Sequence, residues 1–287
     1  MQTFLIVTAL FLIQYSNSFY FNVQLIKLRK TNSENCNFNA YLKVPSTYMT
    51  ATAPETAISQ TKPQEIPAIN KEKKSFVQDE LRPYAMKLHT RDQAPREGQQ
   101  PAQVPVSQWE PAVLDYLHFL VDSLHVYETL EELAKQNPKL NSLQNTGLER
   151  SEALKVDIEW IKKTYSIPQV PAVGPNGVAY ATFLKQMAAE SIPKFICHYY
   201  NHYFAHTAGG RMIGKRLSDK LLNGEVLQFY QWSQGDVKQL LDDTRQRIDL
   251  MAEAWSTQEK QDCLEETMAC FKYGGSLMVY LKPPAMR

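Results

Sequence analysis

The sequence FICHYYNHYFAHTAGGRMIGK, residues 195–215, is a helical segment that contains two adjacent glycines, Gly209 and Gly210. Each glycine inside a helix costs about 1 kcal/mol relative to alanine, so the pair weakens the helix and permits a bend. The missing side chains also let a bulky group approach the backbone. A tight helix crossing or a simple helix end explains the pair equally well. With Gly214, these glycines fit neither GxGxxG nor GxxxxGK[ST], which argues against a phosphate-binding loop.

Three histidines of this segment recur at i, i+4 and i+8 and share one helical face: His198, His202 and His206. A catalytic zinc helix needs a glutamate within HExxH, and Asn201 and Ala205 offer no general base. The face is therefore either a polar surface with no privileged histidine or one side of a pocket. His118 and His125 each follow an aspartate by three residues, but both lie on one helix. We predict that they are exposed polar positions and not part of a di-iron site.

Apolar residues recur at helical spacing through most of the chain. This pattern covers six further stretches: 77–88, 117–134, 154–161, 180–187, 237–251 and 264–271. No stretch alternates like a half-buried strand, and the hydrophobic content of 44% is ordinary for a globular protein. The sequence therefore predicts a single all-α domain over residues 74–287.

His89 ends the first of these helices. It follows Ala85 by four residues and Leu81 by eight, so it lies on or beside the buried face. From there its imidazole could enter a pocket as a metal ligand. A lone histidine at such a position is more often an ordinary core or surface residue, and both interpretations remain open.

The N-terminal region has the composition of a targeting segment. Residues 4–13 are apolar apart from Thr8 but too few to span a bilayer, and Ser16 and Ser18 form a small-x-small cleavage pattern. Residues 19–73 carry seven basic and four acidic residues and no sustained period. We predict a signal-peptide-like segment over 1–18 and a disordered, transit-peptide-like leader over 19–73. A plain secretory signal with a disordered linker is the alternative.

Charge and cysteine usage limit the function classes. The whole chain has a net charge of +1, which gives no global attraction to nucleic acid or to membranes. We also expect no membrane span in the mature protein. Past the leader, Cys197, Cys263 and Cys270 show no CxxC spacing, which indicates a reducing compartment and not a disulfide framework.

Five sequence blocks resemble the haem oxygenases, specifically the plant and algal plastid type. KSFVQDELRPYAMKLHTRDQA (74–94) resembles their proximal helix, and HYFAHTAGGRMIGK (202–215) resembles their distal helix. The blocks FLVDS (119–123), NTGLERS (145–151) and DCLEETMACFKYGG (262–275) are similar to plastid members as well. The resemblance implies an all-α, single-domain helical bundle that holds haem between a proximal and a distal helix.

The resemblance also implies roles for individual residues. His89 corresponds to the proximal iron ligand. His206 takes the position of a residue that orders distal water, and Gly209 and Gly210 let the distal backbone approach haem and dioxygen. Three residues match contacts to the haem propionates: Arg82, Tyr200 and Arg245. Arg247 is the alternative to Arg245 if the register shifts, and His202 has no assigned role.

Two features depart from the proximal and distal patterns. Pro83 lies inside the expected proximal helix, where proline removes a hydrogen bond and kinks the chain, and a kink there would redirect Arg82. His202 stands where an apolar residue or arginine is expected.

By resemblance, the activity is oxidative opening of haem at the α-meso carbon to biliverdin IXα, ferrous iron and carbon monoxide. Dioxygen is the co-substrate, and reduced ferredoxin supplies electrons in the stroma of an algal plastid. A ferredoxin-dependent bilin reductase is a further expected partner, and we expect a monomer. A segment with four cations could dock the acidic ferredoxin or could be an ordinary solvated face: Arg211, Lys215, Arg216 and Lys220.

Two alternatives use the same fold. A haem-binding sensor or carrier would hold haem without degrading it; some plastid relatives lack the proximal histidine, and the presence of His89 argues against this alternative. A helical bundle that binds no haem and acts on a small molecule, as thiamin-degrading relatives do, would need a cysteine nucleophile. Cys197 could serve only if it faced the pocket with a lowered pKa.

Overall fold

The structure is a computed structural model that describes residues 74–91, 93, 96–100, 105 and 108–283. The predicted signal-like and transit-like segments, residues 1–73, lie outside the described residues. Across the described part of the chain the secondary structure is helical, with one isolated bridge between Thr90 and Gln100. The all-α prediction is therefore confirmed. No helix in this part of the chain is both long and apolar enough to cross a membrane.

The described residues form nine α-helices in this order: α1 (Arg82–Lys87), α2 (Val113–Gln136), α3 (Ser151–Thr164), α4 (Pro175–Glu190), α5 (Ile192–Ala205), α6 (Arg211–Leu221), α7 (Val237–Ala252), α8 (Thr257–Glu265) and α9 (Thr267–Leu277). Three 3₁₀ turns join or extend them: Pro138–Leu143, Gln228–Tyr230 and Met278–Leu281. The long helix α2 packs against α3 and α4, and α5 packs against α4, α8 and α9. Their apolar faces form one core, in which Leu117, Leu120 and Leu130 are wholly buried.

Two π turns interrupt the helices that the sequence associates with the site. The proximal π turn, Val77–Leu81, runs directly into α1, and the backbone N–H of Arg82 donates to the carbonyl of Val77. Pro83 therefore lies inside a continuous helical run, where it has no N–H to donate to the preceding turn. The distortion expected near Pro83 takes the form of the π turn that precedes it, and the helix continues beyond. Phe76 and Arg82, which flank the π turn, both have α-helical dihedrals.

The distal π turn, His206–Gly210, links α5 to α6 without a break. Ala205, Gly210 and Arg211 all have right-handed helical dihedrals, and the N–H of Arg211 donates to the carbonyl of His206. The glycine pair therefore does not end the helix. π turns accommodate an extra residue per turn and re-aim the side chains that follow.

Close packing is found at the third glycine of this segment. A Cβ added at Gly214 would lie 2.4 Å from Cζ of Tyr230, whose hydroxyl is within 3.1 Å of the Tyr116 hydroxyl on α2. The close approach in this segment is therefore at Gly214, and the neighbour is a side chain of the 3₁₀ turn Gln228–Tyr230 and not a crossing helix.

Buried carboxylates hold the starts of several elements. Asp122 on α2 accepts the backbone N–H groups of Gly174 and Gly177 at 2.6 and 3.1 Å, where α4 begins. Glu131 on the same helix accepts N–H groups of Arg150 and Ser151 at the start of α3. The first N–H groups of a helix have no partner within it, so these buried contacts replace lost water.

The prediction that His118 and His125 are exposed is wrong. Both side chains are half-buried, and the ring of His118 stacks on that of Tyr280 with centroids 5.2 Å apart. The periodicity placed them off the main apolar face of α2, but the 3₁₀ turn at Met278–Leu281 packs against that flank.

We predict opposite effects on stability for two glycine replacements in the protein without a ligand. Gly214→Ala should lower the free energy of unfolding by about 1–3 kcal/mol, because Tyr230 cannot move without losing its contacts. Gly274→Ala in α9 should instead raise it by about 0.5–1 kcal/mol, because no atom lies within 4 Å of the added Cβ. Chemical denaturation measures both. An equal effect of the two variants would contradict the close packing at Gly214.

Candidate functional site

His89 lies just past the end of α1 with one ring nitrogen fixed. Its Nδ1 is 3.1 Å from the backbone carbonyl of Ala85. A carbonyl oxygen only accepts, so Nδ1 carries the hydrogen, and in the neutral ring Nε2 keeps its lone pair. The ring of Phe271 on α9 meets the imidazole edge-on, with centroids 5.1 Å apart. This is the orientation that a metal-ligating histidine needs.

His206 is fixed in the complementary way, inside the distal π turn. Its Nε2 lies 2.7 Å from the carbonyl of Phe229, so Nε2 is the donor and Nδ1 is left as an acceptor. The imidazole is buried and stacks on the Phe229 ring at 4.0 Å, with Tyr230 and Trp232 alongside. Burial lowers the pKa of His206 to about 3, against a smaller opposing effect of the Phe229 carbonyl. The ring is therefore neutral near pH 7.

The two adjacent glycines, Gly209 and Gly210, differ in the space around them. A Cβ on Gly210 would lie 2.9 Å from Nδ1 of His206, so any side chain there would displace the imidazole. A Cβ on Gly209 would meet no atom within 4 Å. Gly210 thus lets the acceptor nitrogen of His206 approach the backbone, and Gly209 leaves the outer face of the π turn open to a ligand.

The three predicted propionate-binding residues are brought together. Burial raises the pKa of the Tyr200 hydroxyl to about 12, and the positive charges of Arg245 and Arg82 act in the opposite direction. Both guanidinium groups are therefore close enough to act on this phenol. Arg245 lies over the ring of Phe204 at 5.1 Å and pairs with Asp242. Two guanidinium groups beside a phenol suit the carboxylates of a ligand.

The contacts of Arg245 and Arg247, both on α7, show which of the two is better placed to bind a propionate. The Arg82 guanidinium is 3.6 Å from the carboxylate of Glu97, so part of its charge is shared. Arg247 donates to the carbonyls of Ser142 and Gln144 at 3.0 and 2.9 Å, which ties α7 to the loop before α3. The geometry thus favours Arg245, not Arg247, as a ligand contact.

The polar-surface interpretation of the three histidines on α5 and the distal π turn is wrong, because they face the interior. His198 is fully buried between the Tyr180 hydroxyl and the carboxylate of Glu266, at 3.1 Å from each. His202 is partly buried, and its ring lies 4.6 Å from that of Tyr127. Burial lowers the pKa of His202 to about 3, with a further contribution from His198.

Two shielded nitrogens near His206 have no hydrogen-bond partner in the described structure: Nε2 of His202 and Nε1 of Trp232. An unsatisfied buried polar atom costs about 1–3 kcal/mol, so such atoms usually meet water or a ligand. Trp232 lies between Arg150 and Arg211, whose guanidinium carbons are 4.7 and 5.9 Å from its ring centroid. No sequence motif marked Trp232 or Phe229, because both come to His206 from a separate 3₁₀ turn and the loop after it.

These features fit an iron porphyrin. His89 presents an unused ring nitrogen, the open face at Gly209 admits a flat ligand, and two arginines beside Tyr200 suit its carboxylates. The orphan nitrogens at His202 and Trp232 suit water in the distal space. Cys197, in contrast, is buried in the core against Thr267 and Cys270, with sulfur contacts of 3.4 and 3.6 Å. That packing opposes a role as a pocket nucleophile.

A separate cleft of about 980 Å³ lies between the end of α2, the α4–α5 junction, and α7 and α8. Its walls include Lys139, Lys194, Glu259 and Asp262. None of the predicted site residues lines it, so it is distinct from the candidate site.

Comparisons with known proteins give a consistent result. The family model described as Heme oxygenase matches residues 109–278. The chain is 46% identical over 217 residues to "Heme oxygenase 1, chloroplastic" of Oryza sativa subsp. japonica, covering 75% of this chain and 73% of that protein. It is 47% identical over 214 residues to "Heme oxygenase 3, chloroplastic" of Arabidopsis thaliana, covering 72% and 73%.

A solved structure shares the fold. The crystal structure of heme oxygenase 2 from Chlamydomonas reinhardtii without heme superposes with a TM-score of 0.51 at 18% sequence identity. The match covers 59% of this chain and 83% of that one. At this identity the likeness concerns the fold alone, and it agrees with the single-domain, all-α architecture.

We predict that His202 makes the haem-free protein sensitive to acid. Its folded pKa of about 3 lies below the ordinary 6.5. The unfolded chain therefore binds the proton first, and stability present above pH 6.5 is lost as pH falls toward 3. His202→Phe removes this titration, so its stability should fall less steeply between pH 6 and 4, by up to about 1.4 kcal/mol per pH unit. Urea denaturation at several pH values measures the slopes; parallel slopes would contradict the low pKa.

Proposed function

The chain belongs to the haem oxygenase family, and on this premise we propose that it opens haem at the α-meso carbon, releasing biliverdin IXα, ferrous iron and carbon monoxide. One observation carries the proposal. His89 and His206 each give one ring N–H to a backbone carbonyl, of Ala85 and Phe229, and each thereby keeps one nitrogen with a lone pair. The first suits iron, and the second suits a water molecule.

The protein's part in this reaction is binding, orientation and proton handling. Bound haem supplies both the iron that activates dioxygen and the carbon that is attacked. Nε2 of His89 ligates the iron as a neutral imidazole. Tyr200, Arg245 and Arg82 would bind the propionates, and these contacts would select which meso carbon is presented for attack.

His206 acts through water. With a pKa of about 3, its imidazole does not store a proton near pH 7. Nδ1 instead accepts a hydrogen bond from a water molecule, which leaves that water's other hydrogen available to the dioxygen site. Gly210 allows this nitrogen to lie against the backbone, and Gly209 keeps the space beside it clear.

The electron donor we propose is reduced ferredoxin, an acidic protein. The cations of α6 offer a docking surface on the exposed side of this helix: Arg211, Lys215, Arg216 and Lys220. Two of them are partly neutralised, because Lys215 pairs with Asp219 at 3.1 Å and Lys220 lies 3.6 Å from Glu110. The surface keeps a positive excess, which favours encounter with an acidic partner at low salt.

Plastid localisation follows from the chloroplastic relatives. Beyond that, we propose delivery to the stroma of an algal plastid through a bipartite presequence over residues 1–73. A monomeric enzyme would pass its bilin product to a ferredoxin-dependent bilin reductase.

The test is turnover by the full chain. Haemin is added, then ferredoxin, its reductase and NADPH, and the absorption spectrum is followed. Conversion of the haem band to a bilin band supports the proposal. A stable haem band would identify a carrier or sensor, and no haem band would identify a bundle that binds no haem.

Two matched variants test the distal assignment in the same assay. His206→Ala should retain haem but lower the bilin yield about 10²-fold or more, because the ordered water is lost. His202→Ala, one turn earlier on the same helix, should remain within a few-fold of the parent, because no protein group holds the Nε2 of His202 as the Phe229 carbonyl holds that of His206, so water at His202 is less strictly oriented. Equal effects of the two substitutions would mean that the helix has no privileged histidine.

A further inference from the structure

A buried carboxylate on α3 holds the turn that faces His206. The side chain of Asp157 is 3% exposed. Its two oxygens accept the backbone N–H groups of Gln228 and Phe229 at 2.8 and 2.7 Å, at the start of the 3₁₀ turn Gln228–Tyr230. These N–H groups have no partner inside so short a turn, so the carboxylate is what satisfies them.

The same turn sets the state of the distal imidazole. The carbonyl of Phe229 accepts the N–H of His206 Nε2 at 2.7 Å, and the Phe229 ring stacks on the imidazole at 4.0 Å. The backbone N–H of Phe229 therefore donates to Asp157, and the backbone C=O of the same residue accepts from His206. Two hydrogen bonds, joined by one residue, connect α3 to the distal π turn.

Other contacts of the turn do not replace Asp157. The Tyr230 hydroxyl lies 3.1 Å from that of Tyr116, and the Gln231 side chain donates to the carbonyl of Val226 at 2.9 Å. The first contact holds a side chain at the end of the turn, and the second ties the residue after the turn to Val226, which precedes it; neither bonds to the N–H groups of Gln228 and Phe229. The turn's own backbone hydrogen bonds run from Tyr230 to Leu227 and from Gln231 to Gln228, so Asp157 is the partner of the Phe229 N–H itself.

We propose that Asp157 is a positioning residue for His206, which it keeps in the Nε2–H tautomer by fixing the Phe229 carbonyl. The inference rests on the proposed distal role of His206, although Asp157 itself touches no ligand. Without this carboxylate the turn can relax, the Phe229 carbonyl is no longer held in place, and the imidazole can exchange tautomers or rotate. Nδ1 would then cease to be a reliable acceptor for water.

The geometry also makes the coupling sensitive to pH. Burial raises the pKa of Asp157 to about 6, against the opposing effects of the two backbone N–H groups and of Arg150. The other ionisable groups that interact with this carboxylate are the hydroxyls of Tyr116 on α2 and Tyr230 on the turn. Protonation turns one carboxylate oxygen into a hydroxyl, which is a much weaker acceptor for a backbone N–H. The turn should therefore loosen as pH falls through about 6.

The chain offers a matched control. Asp122 is 1% exposed, and its carboxylate also accepts two backbone N–H groups, those of Gly174 and Gly177. Asp157→Asn and Asp122→Asn thus make the same chemical change: an amide can accept only one of the two N–H groups and opposes the other. Only Asp157 connects to Phe229.

The experiment is nitrogen NMR of the full chain, labelled with ¹⁵N-histidine and free of haem, which distinguishes the two neutral tautomers. His206→Ala identifies the signal. At pH 7.5 the parent and Asp122→Asn should show only the Nε2–H tautomer, whereas Asp157→Asn should show a mixture in which the Nδ1–H tautomer is also populated. On acidification to pH 5 the parent should move toward the mixture with a midpoint near 6, and Asp157→Asn should not change.

Two results would overturn the inference. One is a folded Asp157→Asn that keeps the Nε2–H tautomer; the other is an equal loss in Asp122→Asn, which would indicate general loosening. If Asp157→Asn does not fold, the parent titration decides, and an unchanged signal between pH 7.5 and 5 refutes the coupling. The measurement uses no haem, so failure of bilin formation would contradict the proposed function separately.

Discussion

The hydrogen bond from Nε2 of His206 to the carbonyl of Phe229 is the contact on which the distal side of this protein depends. It fixes which ring nitrogen accepts, and it directs that nitrogen toward Gly210. Glycine is required at 210 because the imidazole occupies the space of a side chain. The π turn keeps the backbone helical from α5 into α6 while it holds His206.

Burial, more than any single charge, sets the chemistry of the site. Desolvation is the leading cause of the low pKa of both His202 and His206, and nearby Arg150 and Arg211 add to it for His206. Neutral rings in a buried, aromatic setting hold water by accepting hydrogen bonds. Under the proposed function, the proton that the reaction consumes therefore comes through water, and the imidazole orders that water.

The sequence predicted what periodicity and local chemistry determine. The helices, the position of His89 beside a buried face, and the unusual glycine pair follow from spacing and from the cost of glycine in a helix. The partners of His206 do not. Phe229 lies 23 positions away along the chain, in a turn without a motif, and Asp157 reaches that turn from another helix. Periodicity predicts which face of a helix is apolar, but not which elements pack against its other faces. His118 was therefore predicted to be exposed, although Tyr280 stacks on it.

The central claim is that His89, held through Nδ1, ligates the iron through Nε2. The most direct measurement is the electron paramagnetic resonance spectrum of the ferric haem complex, with natural-abundance and ¹⁵N-labelled histidine, for the full chain and His89→Ala. The account predicts a nitrogen coupling in the parent that responds to the label, its loss in His89→Ala, and its return when free imidazole is added. A labelled coupling that persists in His89→Ala would mean that another histidine binds the iron, and would contradict the account.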